Sequence, residues 1–148
     1  MKHVDIYTDG ACSNNPGKGG WCAILLFKGK EKIVSGGYPE TTNNRMELFA
    51  IINGIMQLKE RCEVTVYSDS AYSLDPFNKG WLNQWQINNW KTASKTPVKN
   101  LDLWKALLAE IKKHEVSFVK VKGHSDNFYN NKCDEVARKE ITMLGENG

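Results

Sequence analysis

The chain of 148 residues predicts an α/β fold in which helices flank a mixed five-stranded sheet. Three observations predict this architecture. Three strand-like segments open the chain, a long amphipathic helix separates them from a fourth strand, and a fifth strand lies between two later helices. The length suits one domain with its own core, so we expect a single domain over residues 1–148.

The first three strands are expected to form an antiparallel meander. Residues 4–9 alternate between apolar and polar side chains, and residues 21–27 form a continuous β-rich run. Turn-forming residues from 9 to 17 separate these two strands. Lys28-Gly29-Lys30 is typical of a hairpin tip, after which residues 31–38 return as the third strand.

A long helix is expected to begin near residues 42–44 and to continue to about residue 59. Asn44 followed by Glu47 fits a pattern that caps helix starts, and Leu48 and Ile51 lie on an apolar face. Residues 64–68 then form a fourth strand that ends at Asp69. Because the helix carries the chain back, this strand is expected to pair in parallel with the first.

The second half of the chain is predicted to be mostly helical. Short helices cover residues 70–90 and are interrupted at Asp75-Pro76, and a well-patterned helix covers residues 101–113. Residues 116–121 form the fifth strand, and residues 131–143 form the last helix. The chain contains no repeat and no low-complexity linker, which favours one continuous α/β unit.

The net charge is only +3, but its distribution is uneven. Nine lysines and three acidic residues lie between Lys79 and Lys122, so the rest of the chain is net negative. This split indicates one surface for an anionic partner and another region rich in carboxylates.

The four cysteines are dispersed and form no CxxC pair, which argues against a zinc site. The start of the chain does not resemble a signal peptide, and no apolar run is long enough to cross a bilayer. We therefore expect a cytoplasmic protein with reduced thiols and no membrane partner, and a monomer by default.

Four acidic residues are candidates for a shared site. Asp9 and Asp69 end the first and fourth strands, which as parallel neighbours would lie about 4.8 Å apart. Glu47 and Asp134 lie in the first turns of two helices and can face the same sheet edge. Taken singly, each acid is also explained as a turn, a cap or a first-turn residue.

Together, four such carboxylates call for a cation. They repel one another, and burial would raise their pKa values unless a positive ion neutralised them. Oxygen ligands suit Mg²⁺ or Mn²⁺ rather than zinc or copper. Two such ions about 3.5–4 Å apart can promote in-line phosphodiester hydrolysis.

Motifs around these acids resemble those of a known family. They are, in chain order, Thr8-Asp9-Gly10, Asn15-Pro16-Gly17, Thr41 to Leu48, Ser68-Asp69-Ser70, Trp90-Lys91-Thr92, Val121 to His124, and Cys133 to Arg138. Together they closely resemble the bacterial type 1 ribonuclease H family over about residues 4–144. The resemblance implies a ribonuclease H-like sheet and a single catalytic domain. It also implies a metal-dependent endoribonuclease that cuts the RNA strand of RNA–DNA hybrids, leaving 5′-phosphate and 3′-hydroxyl ends.

The resemblance also implies roles for particular residues. The metal-binding catalytic acids match Asp9, Glu47, Asp69 and Asp134, which would hold two Mg²⁺ ions in the substrate complex, with Mn²⁺ as a substitute. His124 matches a loop histidine that assists proton transfer or product release.

The expected partner is an RNA–DNA hybrid, whose RNA strand is distinguished by its 2′-hydroxyl groups. Positions that contact the hybrid in the family match Cys12, Asn15, Thr42, Asn43, Asn44, Trp81, Trp85 and Lys91. The first five lie near the RNA strand or the DNA phosphate pocket, and the last three belong to a basic protrusion that grips the DNA strand. Trp81 and Trp85 are four residues apart, so packing within a helix explains them equally well.

The chain departs from the family pattern at two places. Gln86-Ile87-Asn88-Asn89 stands where relatives commonly carry Lys or Arg, which predicts weaker hybrid binding at physiological salt. Ala71 stands where many relatives place a Gln that contacts RNA.

Two alternatives remain open at this stage. A non-catalytic hybrid-binding protein would share the recognition residues but gains nothing from four mutually repelling acids. A transposase-like or integrase-like strand-transfer enzyme would share the sheet and the metal chemistry, but the segment from Thr41 to Glu47 and the expected absence of appended DNA-binding domains weigh against it.

Overall fold

A computed structural model describes residues 1–122 and 127–147. The elements within these ranges are β1 Lys2–Cys12, β2 Gly17–Phe27, β3 Lys30–Thr41, α1 Asn43–Met56, β4 Cys62–Ser68, α2 Ala71–Asn78, α3 Trp81–Ile87, α4 Leu101–Ile111, β5 Glu115–Lys120 and α5 Phe128–Asn147. None of these helices is long and apolar enough to span a membrane.

The five strands form one mixed sheet in the order β3-β2-β1-β4-β5. Strands β1, β2 and β3 pair antiparallel, as in the predicted meander. Strand β4 pairs in parallel with both β1 and β5. The predicted fold class is therefore confirmed, including the parallel pairing of the first and fourth strands.

Each face of the sheet has its own apolar core, because neighbouring residues of a strand point to opposite faces. In β2, Ala23 belongs to the core beneath α1 and α4, whereas Cys22 belongs to the core beneath α5. Trp104 of α4 is fully buried in the first core. Gly20 lets α5 lie directly on β2, since a Cβ at this position would be 2.1 Å from the backbone oxygen of Ala137.

The predicted break at Asp75-Pro76 is wrong, because Pro76 lies inside α2 and is buried. The chain breaks instead at Gly80, whose φ of 77° is a left-handed conformation that glycine adopts without strain. Proline removes one backbone donor and so weakens a helix interior, yet α2 continues through Pro76 to Asn78.

The predicted cap of the long helix is also wrong by two residues. Thr42, not Asn44, precedes the first turn of α1, and its hydroxyl accepts the backbone N–H of Arg45 at 3.3 Å. Glu47 therefore lies in the second turn of α1 and takes no part in capping. The last helix, α5, begins three residues earlier than expected and continues to Asn147.

Candidate active site

Two parallel strands bring Asp9 and Asp69 to one edge of the sheet. The β1–β4 ladder pairs Tyr7 with Tyr67, and each aspartate follows two residues later on its own side. The carboxyl ends of parallel strands are where open α/β sheets place their sites. The placement of both acids thus follows from strand register alone.

Glu47 reaches the same edge because α1 lies unusually close to β1. A Cβ on Gly10 would be 2.5 Å from the backbone nitrogen of Glu47 and 2.9 Å from the Cβ of Met46. Only glycine permits this approach of helix to strand. Asp9 therefore supplies one carboxylate of the site, and the small Gly10 beside it leaves room for the helix that carries the second, Glu47.

The three carboxylates form a compact cluster. One oxygen from each of Asp9, Glu47 and Asp69 lies within 4.8 Å of the other two. Asp9 and Glu47 are each only 4% exposed, and Asp69 is half-buried. Three like charges in so small and dry a space cannot all be ionised without a compensating cation.

The pKa values report this repulsion. Burial, together with the charge of Asp69, raises the pKa of Asp9 from 3.8 to about 8. Burial and the charges of Asp9 and Asp69 also raise the pKa of Glu47 well above its usual value. In the protein alone, this pair retains protons at pH values where ordinary carboxyl groups have lost them.

The cluster fits a divalent cation. Glu47 Oε2 is a buried hydrogen-bond acceptor that has no donor among the described residues. A buried acceptor without a partner costs free energy unless an ion or water satisfies it. The ligand set consists of carboxylate oxygens, which suits Mg²⁺ or Mn²⁺ better than softer metals.

Asp134 lies in the wall of the same pocket but is engaged elsewhere. The Nε of Arg138, one turn later in α5, donates to both of its carboxylate oxygens at 3.0 and 3.1 Å. It lines the same pocket as Asp9, and its hydrogen bonding and its charge both contribute to the raised pKa of Asp9. The structure thus brings three of the four predicted acids together and keeps the fourth adjacent, paired with an arginine.

The acids open into a pocket of about 420 Å³. Its other lining residues are Gly10, Asn43, Asn44, Ser70, Ala71, Tyr72, Asn130, Asn131 and Arg138. A second pocket, of about 330 Å³, shares Gly10, Asn43, Asp134 and Arg138 with the first and extends past Cys12 and Ser13. The two form a continuous polar groove along the start of α1 and the face of α5.

Besides the predicted Asp134, α5 adds Asn130, Asn131 and Arg138 to the pocket lining, and none of these three was predicted as a site residue. Asn130 is 3% exposed, lines the pocket, and has an Oδ1 without a hydrogen-bond partner among the described residues. Asn130, Asp134 and Arg138 follow one another at intervals of four, which places them on one stripe of the helix. That spacing was the available signal.

The predicted contacts on the first loop and α1 surround the groove. Asn15 Oδ1 accepts the backbone N–H of Asn43 at 3.2 Å, which ties the loop after β1 to the start of α1. Cys12 is half-buried, and its Sγ contacts the backbone oxygen of Thr41 at 3.4 Å. Thr42 caps α1, and Asn43 and Asn44 line the acid pocket.

The three predicted protrusion residues lie in different environments. Trp81 is 44% exposed, with the Nζ of Lys79 5.4 Å from its ring centroid. Trp85 packs edge-on against the buried Trp104 at a centroid distance of 5.5 Å. Lys91 is exposed. His124 lies outside the described residues.

The fold and the pocket define an α/β protein whose sheet carries a carboxylate site suited to divalent-metal chemistry. A sequence model of the RNase H family matches residues 1–142. The chain is 60% identical over 144 residues to a ribonuclease H of Caldicellulosiruptor saccharolyticus, covering 97% of this chain and 99% of the relative. It is 59% identical to a ribonuclease H of Chlorobium phaeobacteroides, covering 95% and 97%.

Solved structures agree. The crystal structure of LC9-RNase H1, a type 1 RNase H with the type 2 active-site motif, has a TM-score of 0.85 at 26% identity, covering 96% of this chain and 73% of that one. LC11-RNase H1 in complex with RNA/DNA hybrid has a TM-score of 0.71 at 22% identity, covering 95% and 98%, and shows the fold alone. The chain belongs to the ribonuclease H family and is a nuclease.

Proposed function

We propose that this protein hydrolyses the RNA strand of RNA–DNA hybrids at internal positions, leaving 5′-phosphate and 3′-hydroxyl ends. Relatives that share 57–60% of its residues bear the name ribonuclease H. The observation that carries the proposal is the cluster of Asp9, Glu47 and Asp69, with ligand oxygens within 4.8 Å of one another. Such a cluster destabilises the protein unless it holds metal ions, and hybrid binding alone does not need it.

Asp9, Glu47, Asp69 and Asp134 are the proposed ligands of two Mg²⁺ ions, with Mn²⁺ as a substitute. Bound there, the ions would lower the pKa of an attacking water and stabilise the leaving oxygen of the scissile phosphate. The buried Asp9 and Glu47 fix the position of this chemistry, since neither can rotate into solvent. Asp134 can join the set when it releases Arg138, whose guanidinium is then free for a phosphate.

The groove beside the acids is proposed to recognise the RNA strand by its 2′-hydroxyl groups. Asn43 and Asn44 present amides at the pocket, Asn15 is held against Asn43, and Cys12 lines the adjoining pocket. Amide groups both donate and accept hydrogen bonds, which suits the 2′-hydroxyl group of RNA. Thr42 is proposed to lie near a phosphate of the DNA strand.

The proposed contact with the DNA strand involves Trp81, Trp85 and Lys91, which differ in whether they can touch the DNA directly. Trp81 and Lys91 are exposed and can touch a phosphate backbone, whereas Trp85 supports them from the core. No lysine or arginine occurs from Trp81 to Trp90, so phosphate neutralisation here is modest.

A labelled hybrid provides the test. Cleavage is expected with Mg²⁺ or Mn²⁺ and should stop when a chelator is added, while duplex DNA and duplex RNA remain intact. The 3′ ends should be extendable by a DNA polymerase, and the 5′ ends should be substrates for a phosphate-dependent exonuclease. Cleavage of duplex DNA would favour a strand-transfer enzyme instead.

The Asp69→Asn variant separates catalysis from simple binding. It should bind the hybrid but not cut it, whereas Asp75→Asn, on α2 outside the pocket, should behave as the parent does. A variant at Asp69 with parental cleavage would refute the catalytic assignment. His124→Ala is expected to slow turnover without abolishing it, since the metal site supplies most of the electrostatic stabilisation.

A further inference from the structure

The face of the sheet that carries Asp9 is only partly covered by helix. Among the described residues, α5 packs mainly on β1, β2 and β3. Strands β4 and β5 continue the same face beyond this helix, and Glu63, Ser117 and Val119 are exposed there. Parallel strands usually have both faces covered, so an open face over β4 and β5 is unusual.

A row of apolar side chains crosses this face next to the acids. Tyr7 pairs with Tyr67 in the β1–β4 ladder, and Tyr67 pairs with Val119 in the β4–β5 ladder. Paired residues of neighbouring strands point to the same face, and so do residues two apart on one strand. Asp9, two residues after Tyr7, therefore lies on this face at about 7 Å along the strand.

The start of α5 extends this row into a larger aromatic surface. Tyr7 stacks on Tyr67 at a centroid distance of 4.5 Å, and Tyr129 lies 5.3 Å from Tyr7. Phe128 meets Tyr129 edge-on at 5.1 Å and is 66% exposed, and Val119 is 42% exposed. The aromatic platform consists of Tyr7, Tyr67, Val119, Phe128 and Tyr129, and it presents open ring surface directly beside the acids.

Charged groups set the extent of the platform. At its α5 side, the Nζ of Lys132 lies 5.7 Å from the Phe128 ring centroid, although this lysine also pairs with Glu31. On the side away from the acids, Asp5 accepts a hydrogen bond from the Tyr67 hydroxyl at 3.3 Å. A polyanion is therefore tolerated near Phe128 and repelled beyond Tyr67.

We propose that the aromatic platform binds about two unpaired nucleotides that continue the RNA strand past the scissile phosphate. This inference rests on the proposed hydrolysis of hybrids, in which the strand held at Asp9 and Asp69 is the RNA. Unpaired bases stack on aromatic side chains, and such stacking accepts any base because each base has a π-face. The negative charge of Asp5 limits how far the extension can follow the face.

A protein partner fits the platform less well. An occupant within about 7 Å of Asp9 would obstruct the approach of a hybrid to the acids, whereas an extension of the substrate strand would not. The rings of Tyr7 and Tyr129 also carry hydroxyl groups, which can bond the polar edges of bases. The position and the chemistry of the platform thus both favour the substrate itself as the occupant.

Fluorescence anisotropy with RNA–DNA hybrids tests the proposal. The probes are a short fluorescein-labelled hybrid with blunt ends and the same hybrid with an unpaired adenosine dinucleotide at either the 3′ or the 5′ end of the RNA. A chelator prevents cleavage. Only one polarity should bind more tightly than the blunt hybrid, by at least about fivefold, because the strand crosses the acids in one direction. An extension of abasic riboses should give no gain, and a longer extension should add little.

Protein variants locate the site. Phe128→Ala should lower the ratio of extended to blunt affinity to about one, and Phe128→Trp should keep that ratio, because stacking needs a ring. Val119→Glu should also lower the ratio, since it places a negative charge in the platform. Ile33→Ala, 40% exposed on β3, is the matched control and should keep the parental ratio. Unchanged thermal midpoints would show that the variants are folded.

Several results would overturn the proposal. These are equal affinity for blunt and extended hybrids, equal gains from both ends of the RNA, an equal gain from an extension of the DNA strand, and a parental ratio in Phe128→Ala. A parent dimer in sedimentation that Phe128→Ala dissociates would instead assign the platform to a second copy of this chain. Cleavage of the blunt hybrid with Mg²⁺ is measured separately, so failure of the platform and failure of the proposed hydrolysis are distinguishable.

Discussion

Gly10 and Glu47 are in direct contact across two elements, with the ideal Cβ position of Gly10 only 2.5 Å from the Glu47 backbone nitrogen. The contact couples the end of β1 to the second turn of α1. The contact therefore fixes the distance between the carboxylates of Asp9 and Glu47, which are 38 positions apart in the chain. A methyl group at residue 10 must push the helix away from the strand.

The Gly10→Ala variant is expected to lose most metal-dependent cleavage. Overpacking of this kind costs about 1–3 kcal/mol in the free energy of unfolding, and the displaced Glu47 should also weaken Mg²⁺ binding. Urea denaturation and a Mg²⁺ titration of cleavage measure the two effects. Gly145→Ala is the control, since among the described residues a Cβ there meets Lys18 Nζ alone, at an ordinary contact distance of 3.8 Å. Parental cleavage and metal dependence in Gly10→Ala would show that the contact does not position Glu47.

Asp9→Asn is expected to stabilise the metal-free protein at neutral and alkaline pH while abolishing cleavage. The folded pKa of Asp9, about 8, lies above the unfolded value of 3.8, so the folded state keeps its proton longer. The contribution of Asp9 to the free energy of unfolding is therefore fully present below about pH 4 and is lost as the pH rises towards 8. The variant cannot ionise at residue 9, and its unfolding free energy should depend less on pH.

Urea denaturation in chelator at pH 5 and pH 8 measures this difference. Added Mg²⁺ should stabilise the parent at pH 8 more than the variant, because the ion replaces the lost proton. Asp75→Asn provides the control for amide substitution outside the pocket. Equal pH dependence in the parent and Asp9→Asn would contradict the raised pKa.

Much of this site follows from the sequence because it depends on strand register. Asp9 and Asp69 each lie two residues past the last parallel pair, Tyr7 with Tyr67, and so come side by side as expected, although β1 itself continues to Cys12. Glu47 was also expected at this edge, and α1 starts within the expected residues 42–44, although its cap is Thr42 rather than Asn44. The sequence left open how close Glu47 comes to Asp9, because that distance depends on the approach of α1 to β1 at Gly10.

Asp134 of α5 was predicted, but the places of Asn130 and Arg138 in the pocket were not, because they depend on contacts distant in sequence. Arg138 and Asp134 are local neighbours, but their place beside Asp9 depends on α5 packing against Gly20 of β2. The four-residue spacing of Asn130, Asp134 and Arg138 places them on one stripe of the helix but does not show which surface that stripe faces. The same holds for Trp85, whose burial is set by Trp104 of α4 rather than by its own helix.

Arg138→Ala is expected to lower the Mg²⁺ concentration needed for binding to the free protein by a few-fold. The guanidinium competes with the metal for both oxygens of Asp134, at 3.0 and 3.1 Å, and an exposed ion pair of this kind is weak. Isothermal titration with Mg²⁺ measures the change, with Lys139→Ala as a neighbouring control. A higher Mg²⁺ requirement in Arg138→Ala than in Lys139→Ala would mean that the arginine holds Asp134 ready for the metal.

Arg45→Ala is expected to weaken hybrid binding more than it weakens the fold. Its guanidinium donates to both oxygens of Asp102 and to Asn100 Oδ1, and Asn100 in turn donates to the Tyr72 hydroxyl in the pocket wall. Loss of this network should raise KM several-fold while lowering the unfolding free energy by about 1 kcal/mol. Steady-state cleavage and urea denaturation measure both.

The matched control for that variant is Arg61→Ala, whose exposed arginine pairs with Glu115 at 3.8 Å. It should leave both quantities unchanged, as isolated exposed pairs generally do. A variant at Arg45 with parental KM would separate the network from substrate recognition.

Trp81→Ala and Trp85→Ala should separate binding from stability, although the two tryptophans are one helical turn apart. Trp81 is 44% exposed and is expected to contribute mainly to hybrid affinity, so its loss should weaken binding by about tenfold with little effect on unfolding. Trp85 packs on Trp104, and its removal should cost about 2–3 kcal/mol in the free energy of unfolding. Hybrid binding at two salt concentrations and urea denaturation, applied to both variants, measure the two effects. If Trp85→Ala weakens binding without lowering stability, the assignment of that ring to the core is wrong.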